Sequence, residues 1–61
     1  MEVTISEKQS GKVVVKYPIN LEGINYTPSE EEYFSEAWRC AVEDGKVDPN
    51  NRAKYNFSLS N

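Results

Sequence analysis

The 61 residues predict an α+β fold: β-β-α-β, a three-stranded antiparallel sheet in the order 2-1-3 with one helix packed on one face. Two observations carry that prediction. Apolar residues alternate with polar ones at both ends of the chain, as half-buried strands require. Between them lies a single segment with helical spacing and a signal at each end. A helix returning from the end of strand two delivers strand three antiparallel to strand one, which sets the order.

Strand one is expected near 2–8, where Val3 and Ile5 alternate with Thr4 and Ser6 before polar Glu7. Gln9-Ser10-Gly11-Lys12 reads as the turn, since Gly11 can take positive φ. Strand two, near 12–18, resumes with Val13, Val15 and Tyr17 on one face and Val14 and Lys16 on the other. Pro18 has no amide to give to a ladder, so strand two ends there or lies at an edge. Residues 19–26 admit two readings: a short strand around Ile24-Asn25-Tyr26, or a loop whose Ile19, Leu21, Ile24 and Tyr26 cover one shoulder of the helix.

The helix is expected near 28–44. Thr27 with Glu30 forms a capping box with Pro28 in the first helical position, and Ser29 with Glu32 offers the same box two residues later. Gly45 is placed to end the helix in the left-handed conformation. Asp48-Pro49-Asn50-Asn51 has the composition of a type I turn. Strand three follows near 53–60, with Tyr55, Phe57 and Leu59 alternating with Asn56, Ser58 and Ser60.

A chain this short is expected to be one domain, residues 1–61, with a thin core that profits from a staple. One cysteine, Cys40, rules out an internal disulfide, and the absence of histidine removes the commonest metal ligand. Oligomerisation is the staple left, and a homodimer is expected. Strand two is blunted at its edge by Pro18 and Lys16, whereas strand three carries no proline, so strand three is the expected pairing edge, with a helix-shoulder dimer through Trp38 and Val42 as the alternative geometry. The single cysteine, together with the lack of a signal peptide or membrane span, points to a reducing cytoplasm.

Charge is unevenly spread around the net of −3. Glu30, Glu31, Glu32, Glu36, Glu43 and Asp44 face only Arg39 in the helical segment, while Lys46, Arg52 and Lys54 outnumber Asp48 after it. Catalysis is not expected. No side chain titrates near neutrality unperturbed, and Cys40 sits among acids that disfavour a thiolate. The glutamate run complements the helix dipole rather than forming a paired-carboxylate site. Neither a metal-binding loop nor a phosphate-cradling glycine loop is present, so no cofactor is expected. Tyr55 and Phe57 beside Arg52 and Lys54 superficially suit base stacking. They share the face that must meet the helix, however, and an acidic chain lacks the electrostatic footprint, so direct nucleic-acid binding is not expected.

The helix surface is the best functional clue. Tyr33, Phe34, Ala37, Trp38, Cys40, Ala41 and Val42 spread over an arc of roughly 200°, wider than an ordinary core-facing stripe. Ala37, Ala41 and Phe34 lie at its centre. Tyr33 and Cys40 form one shoulder, Trp38 and Val42 the other, and one small sheet is not expected to cover both. The expected protein-binding residues are therefore Tyr33, Trp38, Val42, Phe57 and Leu59, on a helix shoulder or the sheet edge.

The hairpin, then Tyr17-Pro18, Leu21-Glu22-Gly23, Thr27 and Glu30-Glu31 leading an alanine-bearing helix, resembles the HicB-type antitoxin domain over about residues 2–45. The likeness is architectural. The family's motifs are not matched closely, and no residue roles carry over. The expected function is a small non-catalytic interaction module of bacterial or phage style, homodimeric and bound to another protein. The alternative is a nucleic-acid-linked regulator, either antitoxin-like or an acidic nucleic-acid mimic.

Overall fold

The computed structural model describes residues 1–21 and 27–60. The order of elements is β1 (Glu2–Glu7), β2 (Val13–Pro18), α1 (Glu30–Glu43), a short 3₁₀ turn (Arg52–Lys54) and β3 (Tyr55–Ser60). The three strands form one antiparallel sheet in the order β2-β1-β3, and α1 lies on one face against β1 and β3. The expected fold and strand order are those observed. The alternative of an extra strand at 24–26 lies outside the described residues, but Ile19 is buried and Leu21 packs half-buried against the core.

The hairpin turn works as its residues require. Gly11 adopts φ of 73°, its amide reaches the Glu7 carbonyl at 2.8 Å, and the Glu7 amide closes the loop on Lys12 at 2.9 Å. The Ser10 hydroxyl donates to the Glu7 carboxylate at 2.9 Å. One expectation is corrected within β2. The pairing steps from Ile5 opposite Val15 to Ser6 opposite Val13, a bulge that holds an extra residue. Such a bulge reverses side-chain facing beyond it. Val13, expected inside, is 49% exposed, and Val14, expected outside, packs against the core.

Of the two capping registers, the later one forms. Ser29 is extended (φ −77°, ψ 164°) and its side chain accepts from the Glu32 amide, so α1 starts at Glu30. At the other end Gly45 has φ of 69°, its amide donates to Val42 at 3.1 Å, and the Lys46 amide reaches back to Ala41 at 2.9 Å. These are the paired bonds of a Schellman ending. They turn the chain so that Val47 becomes part of the core, buried at 8% exposure. The next turn closes with the Asn51 amide on the Asp48 carbonyl at 3.0 Å. Asp48 also accepts from the Asn50 amide and the Asn51 side chain, and these bonds hold its carboxyl below the usual range.

The core is small. Val3 and Ile5 on β1 and Ala37 and Ala41 on α1 are fully buried, and the alanines let the helix approach the central strand closely. Val15, Tyr17, Tyr55, Phe57 and Leu59 flank them, half-buried. The opposite face of the sheet carries Thr4, Ser6, Lys16, Asn56 and Ser58 and, apart from exposed Val13 opposite Ser6, is polar, as one solvated side of an antiparallel sheet should be.

Candidate interaction surface

The two shoulders of α1 meet different surroundings. On the β2 side the Tyr17 hydroxyl donates to the Asp44 carboxylate at 2.7 Å, with the Cys40 thiol close by. Desolvation and then the bond to Asp44 push the Tyr17 phenol up to about 12. Cys40 is half-buried, and the Arg39 guanidinium lies 4.0 Å from its sulfur. That guanidinium is committed to Glu36 and Glu43 on the outer helix face. Its own pKa is raised by the two carboxylates, and the Glu36 carboxyl is lowered by the bond to it.

On the β3 side the Trp38 shoulder is built into an aromatic stack. Trp38 lies 5.5 Å from Tyr55 and 5.9 Å from Phe57, and Phe34 lies 5.5 Å from Phe57, centroid to centroid in tilted or edge-on geometries. These are favoured arrangements for rings that carry a negative face and a positive edge. Arg52 closes the stack from the 3₁₀ turn. Its guanidinium sits 5.2 Å from the Phe57 ring and 6.0 Å from Trp38, and it donates to the Glu31 carboxylate at 2.9 Å. Tyr55 is also anchored at its far end, where its hydroxyl accepts from the Asp48 amide at 3.2 Å.

Of the five residues expected at an interface, Trp38 meets Phe57 and Tyr33 lies beside Leu59. Trp38 and Phe57 form the middle of the α1–β3 seam, and Tyr33 and Leu59 line an open groove of about 300 Å³ with Met1 and Pro28 at one end of it. Val42 packs half-buried on the core. None of the five is fully exposed. In the sequence Arg52 stands out only as a basic neighbour of Tyr55 and Phe57. Its part in the seam depends on Glu31, 21 positions away, and no local spacing announces that pairing.

Beside the seam runs the edge of β3. The Ile19 amide donates to the Met1 carbonyl, the Met1 ammonium donates to the Ile19 carbonyl, and the Glu7 amide bonds Lys12, so odd-numbered residues of the first strand face β2. The Lys8 amide bonds the Lys54 carbonyl at 3.0 Å, so even-numbered residues face β3. In an antiparallel ladder this alternation turns Asn56, Ser58 and Ser60 towards β1 and the main-chain groups of Phe57 and Leu59 outward. On β2 the outward positions include Lys16 and Pro18, and the proline has no donor to offer.

Another open groove, of about 480 Å³, lies between the hairpin turn and the 3₁₀ turn, where Glu7, Lys8, Lys54 and Tyr55 mix both signs of charge. Among the described residues no group of three or more Cys, Asp or Glu side chains is placed to hold a metal, and no helix is long and apolar enough to cross a membrane. No family model, curated protein or solved structure matches the chain, so the HicB-type likeness stays one of element order.

Proposed function

We propose that this chain is a non-catalytic interaction module that docks protein by strand addition at the β3 edge, with the α1 shoulder beside it as the second part of the surface. The observation that carries the reading is the hydrogen-bond phase of β3. Phe57 and Leu59 present outward amides and carbonyls with no partner among the described residues, next to a seam of anchored aromatic rings. Strand addition draws affinity from main-chain bonds and specificity from alternate side chains, so it suits a chain with a small core and an open strand edge. The other edge is poorly suited, since Pro18 and Lys16 occupy outward positions there.

A photoreactive side chain at Asn56, on the outer face of β3, tests this directly. Adducts are expected at Asn56 and not at Lys16 on the opposite edge. N-methylation of the Leu59 amide in a synthetic chain should abolish them while circular dichroism stays unchanged. Adducts formed equally from Lys16, or insensitive to the Leu59 methyl group, would sink the reading.

A further inference from the structure

We infer that the occupant of the β3 edge is β3 of a second copy, antiparallel about a two-fold axis, with Phe57 opposite the partner's Leu59 and Ser58 opposite its own counterpart. The inference rests on the strand-addition reading above and adds to it a partner and a register.

Hydrogen-bond phase permits two self-pairings that engage both Phe57 and Leu59 with residues of β3 itself. One sets Phe57 against Phe57 and needs Tyr55 to exchange bonds with Leu59 of the other copy. The Tyr55 amide is already spent on the Arg52 carbonyl, where it ends the 3₁₀ turn. That register would leave a Leu59 carbonyl unmet in each copy. It would also bring together the two guanidinium groups that lie over the Phe57 rings. The other register sets Phe57 against Leu59. Every outward amide and carbonyl of those two residues is then satisfied, and both obstacles disappear.

Side chains favour the same register. On the helix-bearing face it makes two aromatic–aliphatic pairs, Phe57 with Leu59, which continue the core across the axis. On the outer face it sets Ser58 against Ser58 and Asn56 against Ser60, so no like charges stand opposite. Lys54 falls beyond the paired stretch. A two-fold axis perpendicular to the sheet keeps both helices on one face. α1 lies over β1 and β3, and strands are spaced about 4.8 Å apart, so the helix axes would run roughly 10 Å apart, a helix-packing distance. The Trp38–Val42 shoulder and the β3 edge thus belong to one interface. Each copy brings to it a balanced Arg52–Glu31 pair rather than a net charge.

The register makes Ser58 its own partner at a position outside the new ladder bonds, where Cα atoms sit about 4.5 Å apart, within the roughly 4.4–6.8 Å that a disulfide spans. In a Cys40→Ser background, Ser58→Cys is expected to oxidise to a covalent dimer under conditions where Asn56→Cys and Lys16→Cys stay monomeric. The unmodified chain provides a check independent of any variant. It should sediment at twice 7.0 kDa at high micromolar concentration. On dilution the amides of Phe57 and Leu59 should lose protection while that of Ser58, bonded to β1, keeps it. Cross-linking of Ser58→Cys to Asn56→Cys in a mixture, without Ser58 homodimers, would overturn the register. A monomer at all concentrations would overturn self-pairing. If that monomer still gives methyl-sensitive adducts with another protein at Asn56, strand addition survives; if Asn56 gives none, both readings fall.

Discussion

Trp38 ties the helix to the third strand, because it touches Tyr55 and Phe57 on β3 and supports the Arg52 guanidinium. Truncating a large buried aromatic costs about 3–5 kcal/mol. Trp38 is only half-buried, so Trp38→Ala should cost nearer the lower figure, and a urea melt should show the midpoint fall. Tyr17 offers a more selective probe. Tyr17→Phe deletes the hydroxyl that bonds Asp44 and should cost about 1 kcal/mol with little change in the denaturant slope. The same phenol has a pH signature. Its pKa is raised from the ordinary 10.0 to about 12 in the folded chain, so the folded state holds the proton more tightly than the unfolded one. That contribution is fully present below pH 10 and is lost as pH rises towards 12. Melting temperatures followed through this window should fall more steeply for the parent chain than for Tyr17→Phe.

The helix start and the third strand each carry a test of their own. The capping box at Thr27 and the one at Ser29 look equivalent by composition, but only Ser29 takes the cap geometry. Ser29→Ala should therefore cost about 1 kcal/mol and Thr27→Ala almost nothing, as read from paired denaturant melts. The reason lies outside the segment: the register of the helix is set by seating Ala37 and Ala41 over Val3 and Ile5, and a helix beginning two residues earlier adds nothing to that contact. In β3 the hydrogen-bond phase separates residues that alternation treats alike. Ser58 pairs with Thr4 and turns its amide inward. Ser58→Pro should break the β1–β3 ladder and abolish the cooperative melt, whereas blocking the neighbouring Leu59 amide should leave the fold intact.

For the molecule as a whole, the inferred dimer couples stability to concentration. If β3 pairs with β3, the melting temperature should rise with protein concentration, because mass action favours any state that binds only the folded chain. A melting temperature independent of concentration over the micromolar range would count against self-pairing. Most of the architecture was legible in the sequence because each signal for it is local: alternation in Val3–Ile5 and Tyr55–Leu59, a capping residue, a glycine that tolerates positive φ, a proline that stops a strand. Strand order followed from how many times the chain must cross the sheet. The interface candidates were legible as aromatics and aliphatics on a helix shoulder or the sheet edge. That Trp38 meets Phe57 and Tyr33 lies beside Leu59 was not, since neither shoulder of the helix announces which strand it will meet. Three features depend on partners far apart in the chain. The bulge that exchanges Val13 for Val14 arises where β2 must fit β1. The clamp of Arg52 on Trp38, Phe57 and Glu31 joins the 3₁₀ turn to the helix. The outward phase of Phe57 and Leu59 is inherited from which residues of β1 are already engaged by β2. Local composition decides what each segment can become, but facing, phase and contact are properties of pairs, and they exist only once the pairs have met.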